Sequence, residues 1–72
     1  DLRLGDKGER VRVLQDGLNR VFPAYSKLVE DASFGPKTEK ALKTFQYNSG
    51  LKVDGVMGPI TRRELAKYGI RP

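Results

Sequence analysis

Asp31-Ala32-Ser33-Phe34-Gly35-Pro36-Lys37-Thr38 and Asp54-Gly55-Val56-Met57-Gly58-Pro59-Ile60-Thr61 are two copies of one phrase, with Asp, Gly, Pro and Thr recurring at an offset of 23. The match extends outward, since Leu28 falls against Leu51 and Leu42 against Leu65. Repetition at a fixed spacing marks a repeated supersecondary unit. Each copy carries the same physics: an Asp side chain accepts backbone N–H groups two residues on, Gly relieves the sterics of the next step, and Pro suits the first helical position. Both phrases read as turns that launch helices.

Working outward, residues 36–48 follow the first launcher with Thr38, Ala41, Leu42 and Phe45 on one face and Lys40, Lys43 and Tyr47 on the other. That is an amphipathic helix. Gly50 fits a left-handed cap with Leu51 folding back on the last turn. After the second launcher a third helix starts at about Pro59, with Thr61, Leu65 and Tyr68 facing inward and Gly69 ending it. Upstream, Val11, Leu14, Leu18 and Val21 recur at three and four, with Gln15 at the edge of the stripe and Arg12, Asp16, Asn19 and Arg20 opposite. This predicts a first helix over 9–22, and the Asp6/Glu9 spacing predicts a capping box at its start. Gly17 inside it implies close packing against a neighbouring element. Residues 23–33 have no clean period and read as an ordered loop anchored by Tyr25, Leu28 and Val29. The expected fold is all-α: a small three-helix bundle whose core includes Leu14, Leu18, Leu42, Phe45 and Leu65, with Phe34 and Met57 covering it at the turns.

Seventy-two residues make one domain, 1–72 with its core at about 2–68, near the lower limit for a self-sufficient core. No initiator Met, no secretory-type start and no apolar run long enough for a bilayer are present, so the chain reads as a segment of a larger protein without membrane insertion. Without Cys or His, disulfides, thiolate and imidazole chemistry and the usual zinc sites are excluded. No cofactor and no metal site is expected. The net charge of +5 is uneven: residues 1–36 carry six basic and six acidic side chains, residues 37–72 eight and three. An excess confined to one half suits either simple solubility or polyanionic surroundings such as nucleic acid, anionic lipid or an anionic wall polymer.

The order Leu2-x-Leu4-Gly5-x-x-Gly8-Glu9-x-Val11-x-x-Leu14-Gln15-x-x-Leu18, Phe34-Gly35-Pro36-x-Thr38, Ala41-Leu42-x-x-Phe45-Gln46, Gly50-Leu51-x-Val53-Asp54-Gly55 and Gly58-Pro59-x-Thr61-x-x-x-Leu65 resembles the peptidoglycan-binding domain family over about residues 2–68. The resemblance implies a three-helix, non-catalytic, monomeric module that anchors a cell-wall hydrolase or phage lysin to bacterial peptidoglycan, outside the cell or in the periplasm. Two departures stand out. Ala32 replaces the family's usual turn Gly, so the two turns are expected to differ in shape, and Arg62 stands where the family often has a large apolar residue or Trp.

Asp31 and Asp54 form the one carboxylate pair that suggests acid–base work, but their place in the repeat explains both as backbone acceptors. Ser26, Ser33 and Ser49 lack an activating His, and Gly5-x-x-Gly8 lacks the rest of a phosphate loop. The chain reads as a non-enzyme. A basic three-helix domain is alternatively a nucleic-acid-binding helix-turn-helix, yet the connection from Ser49 to Gly58 is about ten residues against the three or four such a turn takes. A protein–protein adaptor is the other alternative. No nucleic-acid partner is expected. For a glycan or stem-peptide ligand, a water-exposed aromatic beside polar and charged groups is required. Tyr47 fits, with Lys43 and Asn48 beside it on the second helix. Asp54, Arg62 and Arg63, close in sequence at the second launcher, suit one edge of a shallow groove, and Asp54 and Arg62 are expected to form the side opposite Tyr47.

Overall fold

Each launcher ends in a helix whose first residue is its proline. The computed structural model describes residues 1–72 and holds three helices: α1 (Glu9–Val21), α2 (Pro36–Asn48) and α3 (Pro59–Ala66). Gly35 and Gly58 precede α2 and α3 with extended backbone and no side-chain cap. The fixed φ of proline therefore does the launching. At α1 the expected capping box does not form. Gly8 is the N-cap and has no side-chain bond. Asp6 instead accepts the Arg3 N–H at 3.0 Å and gives its carbonyl to Phe34 N at 2.8 Å, while Glu9 pairs with Arg12. The Asp6 carboxylate is taken up by the Arg3 N–H and the Glu9 carboxylate by the Arg12 guanidinium, so neither is left for the cap.

Both later helices stop in the same way. At α2, Leu51 N donates to Gln46 O at 2.9 Å and Gly50 N to Tyr47 O at 3.2 Å. Beyond α3, Ile70 N donates to Leu65 O at 3.2 Å and Gly69 N to Ala66 O at 3.0 Å. These are two Schellman motifs, each with an apolar residue folded back after the glycine. The stops match in form but not in the register of the repeat, because α3 has 8 residues against 13 in α2.

The expected core residues Leu14, Leu18, Leu42, Phe45 and Leu65 are fully buried, as are Phe34 and Met57 at the turns. Ile70, which the periodic reading left outside the core, is buried against α1. A Cβ on Gly17 would lie 2.5 Å from Ile70 Cγ2, so Gly17 is the notch that admits the C-terminal tail. Tyr68 departs from expectation: α3 ends before it, and the ring is 44% exposed, standing edge-on to Phe22 at 5.0 Å and to Phe45 at 6.0 Å. Tyr25 stacks on Phe22 at 5.4 Å, and burial pushes its unpartnered phenol up to about 12. Val29 is exposed and anchors nothing.

What holds the 22–33 loop is Asn19, on the side of α1 read as solvent-facing. Its Oδ1 accepts Ser26 Oγ at 2.8 Å and Leu28 N at 2.7 Å, and its Nδ2 donates to Leu28 O at 2.8 Å. The N-terminal segment straps the two launchers together. Leu2 and Met57 exchange backbone bonds of 3.1 and 2.8 Å, Gly5 N donates to Phe34 O, and Gly8 N donates to Ala32 O. Only isolated bridges result, and the fold is all-α.

Candidate functional site

The launcher turns are built around two glutamines that are fully buried. Gln15 Nε2 donates to Asp31 Oδ1 (3.2 Å), Ser33 O (3.0 Å) and Thr38 Oγ1 (3.0 Å), and Oε1 accepts Ala32 N (3.1 Å). Gln46 Nε2 donates to Asp54 Oδ1 (2.9 Å), Val56 O (3.1 Å) and Thr61 Oγ1 (3.2 Å), and Oε1 accepts Asp54 N (3.1 Å) and Gly55 N (2.9 Å). Each glutamine sits on the preceding helix and holds the Asp, the turn backbone and the Thr of one launcher. Buried amides satisfied in this way specify a unique geometry. The expectation that Gln15 lies at the stripe's edge is therefore corrected.

Asp31 and Asp54 are the acceptors their place in the repeat predicts. Asp31 Oδ1 accepts Ser33 N at 3.0 Å, and Asp54 Oδ1 accepts Val56 N at 2.9 Å. That backbone bond first, and the glutamine amide second, hold both carboxyls below the usual range. A carboxylate bound this way is not poised for proton transfer near neutrality. The sign for stability follows: the unfolded carboxylates bind protons first, so the contribution is complete above their ordinary pKa of 3.8 and is lost as pH falls through the lower folded values. Melting temperature should fall below about pH 4. In an Asp31→Asn/Asp54→Asn variant, which keeps both acceptors, that acid decline should shrink.

The two turns have the same shape, against the expectation from Ala32. Ala32 adopts φ 64° and Gly55 φ 72°, and each N–H meets its glutamine Oε1. The glutamine network imposes the left-handed conformation despite the Cβ. For a residue other than glycine that conformation costs about 1–2 kcal/mol. Ala32→Gly should accordingly stabilise the domain by about 0.5–1 kcal/mol after the greater chain entropy of glycine is subtracted, measurable by chemical denaturation.

Each turn opens a cleft to solvent, and the two correspond by the repeat. The first, of about 350 Å³, is lined by Leu28, Asp31, Pro36, Lys37 and Thr38 among others. The second, of about 290 Å³, is lined by Leu51, Asp54, Pro59, Ile60 and Thr61. A third cleft, of about 370 Å³, holds Arg62, Arg63 and Arg71 and shares Pro59 with the second.

Against this geometry the sequence-derived site residues separate into groups. Asp54 lines the second-turn cleft. The Lys43 stem leans over the same turn, its Cε 3.0 Å from where a Cβ on Gly55 would lie. Tyr47, one turn along that face of α2, is 76% exposed, as periodicity predicts, and Asn48 beside it is exposed, but neither lines a cleft. Arg62 belongs to the arginine cleft beyond Pro59. Sequence reasoning missed Gln15 and Gln46 as organisers of the site. The available signal was that each follows a core residue, Leu14 or Phe45, on the helix preceding a launcher.

Residues 7–65 match the family model described as "Putative peptidoglycan binding domain". The chain is 34% identical over 70 residues to the N-acetylmuramoyl-L-alanine amidase CwlL of Bacillus licheniformis, covering 97% of this chain and 19% of the amidase. It is 40% identical over 57 residues to the zinc D-Ala-D-Ala carboxypeptidase of Streptomyces albus G, covering 79% of this chain and 22% of that enzyme. It thus spans about a fifth of the length of either enzyme. The crystal structure of the SleB N-terminal domain superposes with a TM-score of 0.83 at 36% identity, over 92% of this chain and 88% of that one. Sequence match over most of the chain and a shared backbone together establish that the chain belongs to the peptidoglycan-binding domain family.

Proposed function

We propose that this chain is the non-catalytic module by which a cell-wall hydrolase is held on bacterial peptidoglycan, outside the cell or in the periplasm, and that it works as a monomer. The observation that carries the reading is its family membership, combined with the small fraction it forms of related wall enzymes. The chemistry agrees. Both candidate carboxylates are committed to turn backbone, leaving concave, partly apolar clefts with polar edges, the kind of surface that takes a glycan or stem peptide. A helix-turn-helix reading is disfavoured by the connection over residues 49–58, which separates α2 from α3 by far more than a tight turn.

The proposed contact surface is the second-turn cleft with the adjoining face of α2, namely Asp54, Lys43, Tyr47 and Asn48, continued across Pro59 to Arg62. Tyr47 carries the argument, because a ring left in water has no folding role. Tyr47→Ala should leave stability within about 0.5 kcal/mol of the parent. Retention on purified peptidoglycan should weaken about fivefold, the equivalent of about 1 kcal/mol of aromatic contact. Unchanged retention would remove Tyr47 from the site. NMR shifts induced by soluble muropeptides and confined to α1 would move the site to the other side of the domain.

A further inference from the structure

The arginine cleft is not explained by a peptidoglycan surface centred on Tyr47 and Asp54. Arg62, Arg63 and Arg71 line one open cleft with Pro59 and Ala66. None of the three forms an ion pair, and Glu64, the one acid on α3, is paired with Lys67 at 3.0 Å. The cleft is built rather than incidental. Arg62 and Arg63 are on α3, and the tail bearing Arg71 is pinned on both sides: Ile70 is buried in the Gly17 notch, and Pro72 O accepts Arg10 Nε at 3.3 Å. Three unneutralised like charges repel one another, so the arrangement suits an anion that neutralises them.

We infer that this cleft binds phosphodiester groups of an anionic polymer carried by the cell wall, as a second site that adjoins the peptidoglycan contact at Arg62 and extends beyond it to Arg63 and Arg71. A single stem-peptide carboxylate is satisfied by one guanidinium fork. Three forks around one cleft exceed that need and suit a polymer that presents a negative charge at every repeat, as successive phosphodiesters do. Because Pro59 is shared with the second-turn cleft, a polymer borne by the wall would meet the arginines while the peptidoglycan contact is made. The inference rests on the wall-anchoring reading for its location.

The test uses an Arg63→Gln/Arg71→Gln variant, which leaves Arg62 and the peptidoglycan surface intact, with an unchanged melting curve as the folding control. Retention is measured on sacculi carrying their phosphodiester polymers and on sacculi stripped of them with hydrofluoric acid. On intact sacculi the variant should bind about tenfold more weakly, as expected for two charged contacts. Its log affinity should also depend less on log salt, by about 1.4 in slope at about 0.7 per phosphate contact. On stripped sacculi variant and parent should be alike. Equal loss on both wall types, or no loss on either, would overturn the inference. Parent binding to intact but not stripped walls would leave it standing while removing the peptidoglycan reading. Poly(glycerol phosphate) should move the guanidinium NMR signals of the three arginines; equal shifts with polyglutamate of matched charge would overturn the assignment to phosphodiesters.

Discussion

Gln46→Ala is expected to destabilise the domain by about 3–5 kcal/mol and to leave much of it unfolded at room temperature. The amide is fully buried, and its removal strands the Gly55 N–H, a donor on a buried residue, together with the Asp54 N–H. Each unsatisfied buried group costs about 1–3 kcal/mol, and the vacated volume adds to this. Gln46→Glu separates the two contributions. It preserves volume but, ionised, sets a carboxylate against the Asp54 carboxylate and the Val56 carbonyl, where the amide now donates. Its loss at neutral pH should match or exceed that of Gln46→Ala in a urea titration. A stable Gln46→Glu protein would show that packing, not hydrogen bonding, is what this residue supplies. Gln15→Ala should cost somewhat less, because Gln15 holds one turn N–H where Gln46 holds two.

Leu42→Ala should cost about 2–5 kcal/mol, the range for truncating a buried leucine. Leu42 is fully buried within the cluster that contains Leu14, Leu18, Phe45 and Leu65. A small single core rarely supplies more than about 3–5 kcal/mol, so the variant should sit near its folding midpoint. The melting temperature should drop by roughly 10–40 °C, at about 4–8 °C per kcal/mol for a domain of this size. A variant that melts like its parent would contradict the central position of α2.

The amino-acid sequence by itself determined the three helices and the proline starts and glycine-capped turns of the second and third, though not the cap of the first or the last helical residue of the third. Proline at the first helical position, glycine at the left-handed cap and apolar residues at three and four are local constraints, satisfied within one or two turns of chain. For the same reason Tyr47 could be placed in water and Asp31 and Asp54 in their turns. Tertiary structure alone decided the rest. Gln15 lies at the edge of its helix's apolar stripe and nothing local singles out Gln46 until a turn from later in the chain closes over each, and Ala32 looks unsuited to a positive φ until Gln15 receives its N–H. Asn19 looks solvent-facing until the loop packs on it. Ile70 lies beyond the expected core at 2–68 until Gly17 offers it a notch. The site divides along the same line: the sequence identified Asp54, Arg62 and Tyr47 as residue types suited to a ligand, but only the packing of the C-terminal tail put Arg71 with Arg62 and Arg63 across Pro59 from Asp54. Local propensity is a property of neighbouring residues, whereas a buried amide or a shared cleft needs partners far apart in the chain, and these become neighbours only after the core has closed.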